Sequence, residues 1–239
     1  MALPPGATAT VWTGVLLVYR CLDVRLPDGR RFRHTMPEDE AGWGVEAFWG
    51  VPALVERLSA GEARLSAEVV TADRCLESLT AMGEGLYWPS PSDTRAELDR
   101  LVPPGSLDSV FALWPQQDLR RGEPIPSGGW GLAIGATDWS NGATYATVAN
   151  APRAVWAESV PGEVWLHEWL HGVCDHYARR GFPMPPGDAD GGARGGYRRE
   201  PDRGWSRYYA DLMTGQVAVD GRRLGIGAAA WRTGSITGR

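Results

Sequence analysis

Segments typical of strands and segments typical of helices alternate through the first half of the 239-residue chain. The strand-like segments combine β-branched residues with apolar–polar alternation, and they cover residues 9–26, 63–71 and 107–114. The helix-like segments cover residues 45–60, where Pro52 is expected to kink or delimit the helix, and residues 92–101. The alternation favours a layered α/β (α+β) fold, in which helices pack on a sheet.

Composition and charge exclude two classes of partner. The chain carries 24 basic and 29 acidic residues, a net charge of −5, and no block of Lys and Arg, so we expect no nucleic-acid partner. Its longest purely apolar run, Val15 to Tyr19, is far shorter than the ~20 residues of a membrane-spanning helix, so we expect no membrane partner. The first ten residues lack the basic and apolar regions of a signal peptide. We therefore expect a cytoplasmic protein, or a secreted one if a signal peptide has been removed.

The three cysteines allow at most one disulfide. No Cys-x-x-Cys pair occurs, which excludes a zinc ribbon and a dithiol redox motif. Cys21 and Cys75 lie in strand-like segments and are able to pair if the protein is exported. We expect instead that these two residues and Cys174 are three buried thiols.

The second half contains a predicted hairpin and one strong helix. Gly131–Gly135 and Thr144–Val148 are short strand candidates, and Asn141-Gly142 between them is typical of a tight turn. A helix is predicted from about Glu163 to Arg180, where Gly181 ends it. A loop rich in Gly, Pro, Asp and Arg follows over residues 182–204, and a last short helix over residues 205–213.

The strong helix carries the motif His-Glu-x-x-His as His167, Glu168 and His171. At ~100° per residue the two imidazoles lie on one face, one turn apart, and Glu168 lies beside them. An adjacent face is apolar and is expected to pack on the core; it consists of Leu166, Leu170, Val173 and Tyr177. Two neutral imidazoles bind a Zn²⁺ ion that keeps an open position for water, and a neighbouring carboxylate takes the proton of that water.

Residues 164–172 resemble the active-site helix of the zincin metallopeptidases, and Tyr208 to Gly215 is similar to the methionine turn of metzincins. The resemblance implies a twisted mixed sheet with packed helices, bound Zn²⁺, and hydrolysis of protein or peptide substrates with Glu168 as general base. It also implies that the hairpin lines the substrate cleft. We expect one domain over residues 1–239 that acts as a monomer, in which 1–106 supply strands and helices of the sheet layer and 107–216 form the catalytic core.

The third zinc ligand departs from the metzincin pattern, because no His stands ten residues after His167. His176 falls on the opposite face of the helix, and Asp175 is better placed to hold a ligand than to be one. The third ligand, if one exists, is then a carboxylate, a tyrosine or water, and the acidic candidates are Asp188, Asp190, Glu200, Asp202 and Asp211. We predict Asp188, because Pro185-Pro186-Gly187 gives a rigid approach that ends in a flexible joint.

Two other functions remain open at this point. The site is also suited to a zinc hydrolase or amidase that acts on a non-peptide substrate. In a different class of protein, the metal would only brace a carbohydrate- or protein-binding module, an alternative that the 12 tryptophans keep open.

Overall fold

A five-stranded mixed sheet organises the computed structural model, which describes residues 8–158 and 160–238. The expectation drawn from the first ten residues, that they form no signal peptide, falls mostly outside the described residues, which begin at residue 8. The strands are β1 (Thr10–Val18), β2 (Cys21–Arg25), β3 (Arg31–Thr35), β4 (Ala63–Thr71), β5 (Thr80–Ala81), β6 (Tyr87–Trp88), β7 (Ser109–Trp114), β8 (Gln117–Asp118), β9 (Glu123–Pro124), β10 (Gly131–Ile134), β11 (Thr144–Ala149), β12 (Val217–Val219) and β13 (Arg222–Leu224).

The main sheet has the strand order β10-β11-β7-β1-β4. β4, β1, β7 and β11 are mutually parallel, whereas β10 pairs antiparallel with β11 and forms one edge. Every residue of β7 and of β11 is buried, as expected for inner strands that are covered on both faces. The remaining strands form four two-stranded ribbons: β2–β3, β5–β6, β8–β9 and β12–β13.

Helices cover the sheet, and alternate strand residues supply two hydrophobic clusters. The helices are α1 (Glu38–Phe48), α2 (Val51–Leu58), α3 (Arg95–Leu101), α4 (Arg153–Glu158), α5 (Glu163–Arg179), α6 (Ser206–Met213) and α7 (Gly227–Trp231). One cluster joins Leu16 and Phe111 of the sheet to α1, α2, α5 and α6. The other joins Val15 and Val110 to the β2–β3 ribbon and α3. Because successive side chains of a strand point to opposite faces, neighbouring residues enter different clusters.

The predicted fold class, a mixed α/β sheet with packed helices, is confirmed. The helix predicted over residues 45–60 is in fact two helices, α1 and α2, separated at Trp49 and Gly50. Pro52 lies in the first turn of α2, where its missing N–H needs no partner. α1 begins before the predicted segment. The acidic side chains of its first turn interact favourably with the positive end of the helix dipole.

The expectation of three buried thiols is wrong for two of the cysteines. Cys21 and Cys75 form a disulfide, and Cys174 alone is a free, buried thiol. The segment after β4 pairs with β2 through a bridge between Leu22 and Leu76, and this pairing brings the two cysteines together.

None of the helices within the described residues is long and apolar enough to cross a membrane.

Candidate metal centre

Helix α5 presents two imidazoles side by side. It packs against β10 and β11, and the indole of Trp169 donates a hydrogen bond of 2.9 Å to the Ser109 hydroxyl of β7. The apolar face predicted from the sequence is buried, which fixes the rotation of the helix about its axis. As a result, Nε2 of His167 and Nε2 of His171 lie 3.4 Å apart.

The second ring nitrogen of each imidazole, Nδ1, contacts a different side chain. Nδ1 of His167 lies 2.9 Å from the hydroxyl oxygen of Tyr209 in α6. Nδ1 of His171 lies 2.5 Å from Oδ1 of Asp188. A group that accepts the Nδ1 hydrogen holds a neutral imidazole in the tautomer that leaves Nε2 without a proton, which is the form that binds a metal. The Asp188 carboxylate is such an acceptor for His171, and the Tyr209 oxygen is able to accept from His167.

A short 3₁₀ turn, Asp188–Gly191, carries a third group to the two Nε2 atoms. Asp190 Oδ1 lies 3.4 Å from Nε2 of His167, and Asp190 Oδ2 lies 3.8 Å from Nε2 of His171. The chain enters this turn through Gly187 and Asp188, which both have positive φ angles, of 83° and 35°. This change of direction places Asp188 on the Nδ1 side of His171 and places Asp190 on the side where the two Nε2 atoms lie.

The other predicted ligand candidates lie elsewhere. His176 packs edge-on against Trp12 of β1, with the ring centroids 5.4 Å apart. Asp175 pairs with Arg179 on the surface of α5, at 2.9 Å. Asp211 accepts a hydrogen bond of 2.6 Å from the Tyr197 hydroxyl. Among the described residues, the group of His, Cys, Asp and Glu side chains able to share one ion consists of His167, His171 and Asp190.

Glu168 lies beside the imidazoles in a space that a glycine keeps open. Its Oε1 is 3.9 Å from Nε2 of His167, and the residue is 6% exposed. A Cβ on Gly131 of β10 would lie only 2.3 Å from that same Oε1. Burial raises the pKa of Glu168 to about 7, so the carboxyl group gains and releases a proton near neutrality.

The environments of the two imidazoles differ. Burial, together with the charge of His171, lowers the pKa of His167 to about 4, so its ring is neutral at physiological pH. Burial also acts to lower the pKa of His171, but the hydrogen bond and charge of Asp188 outweigh it and raise this pKa. For Asp188, burial acts to raise the pKa, and the contact with His171 outweighs it and lowers the pKa. The two residues therefore form a charge-assisted pair.

The spacing of these atoms fits a tetrahedral zinc ion. Zn–N bonds of about 2.0–2.1 Å at tetrahedral angles place two ligand nitrogens about 3.3–3.4 Å apart. The Nε2 atoms are 3.4 Å apart, and the nearest Asp190 oxygen lies 3.4 Å from one of them. The donors, two imidazoles and one carboxylate, are types that zinc accepts, and three protein donors leave a fourth position for water.

Sequence reasoning did not identify the parts played here by Tyr209 and Gly131. Tyr209 stands 42 residues after His167. No local spacing connects these two residues, because they meet only when α6 docks on α5. The sequence signal at Gly131 is a glycine at the start of a strand. Its φ angle lies outside the left-handed region, so the backbone does not require a glycine there, and the need is for space beside Glu168. Met213, in the segment similar to a methionine turn, is the last residue of α6 and is completely buried.

No protein-family model and no curated protein sequence matches the chain. Among solved structures it is similar to a chain in a chaperone–substrate complex, with 14% identity over 69% of this chain and 26% of that one and a TM-score of 0.37. It is similar to metalloproteinase-II from Bacteroides fragilis, with 12% identity over 72% of this chain and 44% of that one and a TM-score of 0.37. It is also similar to archaemetzincin from Methanopyrus kandleri, with 17% identity over 77% of this chain and 80% of that one and a TM-score of 0.32. The chain thus spans 26% and 44% of the lengths of the first two.

Proposed function

We propose that this chain is a zinc-dependent peptidase whose zinc is held by His167, His171 and Asp190. The observation that carries the proposal is the 3.4 Å separation of the two Nε2 atoms, with the Asp190 carboxylate facing them and the Glu168 carboxylate beside them. Two imidazoles whose Nδ1 atoms are already partnered present their free nitrogens to one point, which is the arrangement that a metal ion needs.

Asp190 replaces Asp188 as the proposed third ligand. The Asp188 carboxylate contacts Nδ1 of His171, on the side of the ring away from Nε2, and its Oδ1 also accepts the N–H of Ala189. It is therefore better suited to orient His171 than to bind the ion. Asp190 lies two residues further along the same turn and faces both Nε2 atoms.

Glu168 is the proposed general base. When bound, zinc supplies a Lewis acid that polarises the peptide carbonyl and makes a water molecule acidic enough to attack near neutral pH. Glu168 accepts the proton of the attacking water and then delivers it to the leaving amine nitrogen. Its burial beside the ligands, rather than in solvent, favours hydrolysis over a metal that only braces the fold.

The edge strand β10 is the proposed binding site for the substrate backbone. β10 pairs on one side with β11, and within the described residues no strand pairs with its other side. An extended peptide that adds to this edge passes Gly131, where Glu168 lies. This geometry favours a peptide over the alternative of a non-peptide substrate.

The experiment compares zinc content and peptide hydrolysis in three proteins. The wild type is expected to bind about one zinc per chain and to cleave an unfolded protein, with activity lost on chelation and restored by zinc. Glu168→Gln is expected to keep the zinc and lose activity by ~10²-fold or more. His171→Ala is expected to lose the zinc. Activity that survives chelation, or a Glu168→Gln variant without zinc, would contradict the proposal.

The proposed location is a compartment that permits disulfides. The Cys21–Cys75 bridge supports it, because such bonds persist in oxidising surroundings and are rare in a reducing cytoplasm. That the chain acts as a monomer, and as one domain over residues 1–239, stays a prediction.

A further inference from the structure

A cavity of about 360 Å³ adjoins the candidate metal centre and shares His167 with it. We call it the aromatic pocket, because its walls are mostly aromatic and aliphatic: Trp130, Val155, Val164, Trp205 and Tyr209. Trp130, Val164 and Trp205 are half-buried, so parts of these side chains are open to a ligand. The hydrophobic effect favours an apolar group in such a space, since it removes apolar surface from water on both sides.

The two charged residues that line the pocket, Glu163 and Arg199, are engaged with other groups. Glu163, the first residue of α5, accepts a hydrogen bond from the backbone N–H of Trp205 through Oε1. Its other oxygen, Oε2, lies 3.9 Å from Nη2 of Arg199. The carboxylate is therefore offset by a cation, and the pocket has no unbalanced negative charge to attract a basic side chain. Arg199 is likewise offset, so an acidic side chain gains little there.

The pocket lies on the path of the proposed substrate backbone. Trp130 directly precedes β10, so one wall of the pocket continues the edge to which the peptide would add. Val164 stands three residues before His167 on α5, hence one turn away on a neighbouring face. A residue next to the bond that is cut thus has the pocket within reach of its side chain.

We propose that the aromatic pocket receives a large uncharged apolar side chain, above all an aromatic one, from the substrate residue next to the cleaved bond. This inference rests on the proposed peptidase function, which it extends to a class of substrate. Basic or acidic side chains in the same position are expected to be poor, because each would lose its hydration without gaining an unpaired opposite charge.

The first test uses two series of peptides that differ only in the residue before, or only in the residue after, the cleaved bond. That residue is Phe, Gly, Lys or Asp. In one series, the wild type is expected to cleave the Phe peptide with a kcat/KM at least about tenfold above the other three. Val164→Phe fills the pocket and is expected to lower kcat/KM for the Phe peptide to about that for the Gly peptide, which abolishes this preference. Val219→Phe, in β12 and outside the pocket, is the matched control and is expected to keep the preference.

The second test separates the pocket from the catalysis. Saturation-transfer NMR on zinc-loaded Glu168→Gln compares N-acetylphenylalanine amide with N-acetylglycine amide, with and without Val164→Phe. The expected result is that the phenylalanine amide binds selectively and that Val164→Phe abolishes this binding. The same result is expected even if no peptide is cleaved, because the absence of cleavage overturns only the peptidase function. Equal cleavage of all peptides, a preference for Lys or Asp, or a Phe preference that Val164→Phe leaves intact would overturn the pocket proposal. If nothing is cleaved, the absence of selective amide binding would overturn it.

Discussion

Gly131→Ala tests the proposed role of Glu168 without changing any charged or metal-binding group. A Cβ at this position would lie 2.3 Å from Oε1, 2.4 Å from Cδ and 2.5 Å from Cγ of Glu168. Since non-bonded heavy atoms approach to about 3.5 Å, the carboxylate has to move by about 1 Å. A catalytic group misplaced by that distance costs about 10²-fold in rate.

The loss is expected in kcat/KM, with the zinc content unchanged, because the new methyl group points at Glu168 and at neither imidazole. Gly129→Ala is the matched control from the same loop, since the nearest atom to its Cβ would be Gly131 O at 3.9 Å. Neither glycine has a positive φ angle, so the backbone accepts alanine at both positions. Overpacking at Gly131 is expected to cost about 1–3 kcal/mol of stability, which a urea unfolding curve measures separately.

Peptide hydrolysis and zinc content of the two variants decide the matter. If Gly131→Ala, with full zinc, retains a kcat/KM within about threefold of Gly129→Ala, then the position of the Glu168 carboxylate is not critical and it is not the base. If Gly131→Ala instead loses its zinc, then moving Glu168 disturbs the metal site, and the assignment of Glu168 as a base that is not needed for zinc binding is refuted.

Three further predictions concern zinc affinity, acid stability and the disulfide. Asp190→Ala is expected to weaken zinc binding by more than about 100-fold, and Asp188→Asn by about 10- to 100-fold; a competition titration with a chelator that shows the reverse order would reinstate Asp188 as the ligand. Burial lowers the pKa of His176 to about 4, below its unfolded value of about 6.5, so stability is lost as the pH falls from 6.5 towards 4. Urea unfolding of His176→Gln is expected to show a smaller loss, and an equal loss would exclude this cause. Replacing Cys21 and Cys75 by Ser is expected to lower the free energy of unfolding by about 4 kcal/mol, since the bridge spans a separation of 54 residues; a change below about 1 kcal/mol in denaturant unfolding would contradict this.

Local pattern was enough to predict several individual elements. The strand at residues 63–71 coincides with β4, and the helix predicted from Glu163 to Arg180 is observed as Glu163–Arg179. The predicted hairpin is observed as β10 and β11. For β4 and for the helix, the periodicity of apolar residues reports which face is buried, and that face is the one that packs in the structure.

Contacts between distant segments were beyond the same reasoning. The choice between Asp188 and Asp190 depends on the φ angles of Gly187 and Asp188, which set the direction of the turn over α5. The two aspartates are only two residues apart, and they occupy similar turn-forming positions in the sequence. Only the docked turn distinguishes the one that faces Nε2 from the one that faces Nδ1.

Two adjacent tyrosines of α6 join the Asp188–Gly191 turn and α5 into one unit. Tyr208 donates its hydroxyl hydrogen to the backbone carbonyl of Asp188, whereas the Tyr209 hydroxyl contacts His167. If zinc binds as proposed, its binding and the docking of α6 are therefore thermodynamically linked, with a coupling free energy that is the same in both directions. Removal of zinc is accordingly expected to speed amide hydrogen exchange in α6, a helix that supplies no ligand. A molecule that displaces α6 is therefore expected to lower the affinity of the proposed zinc site without approaching the ion.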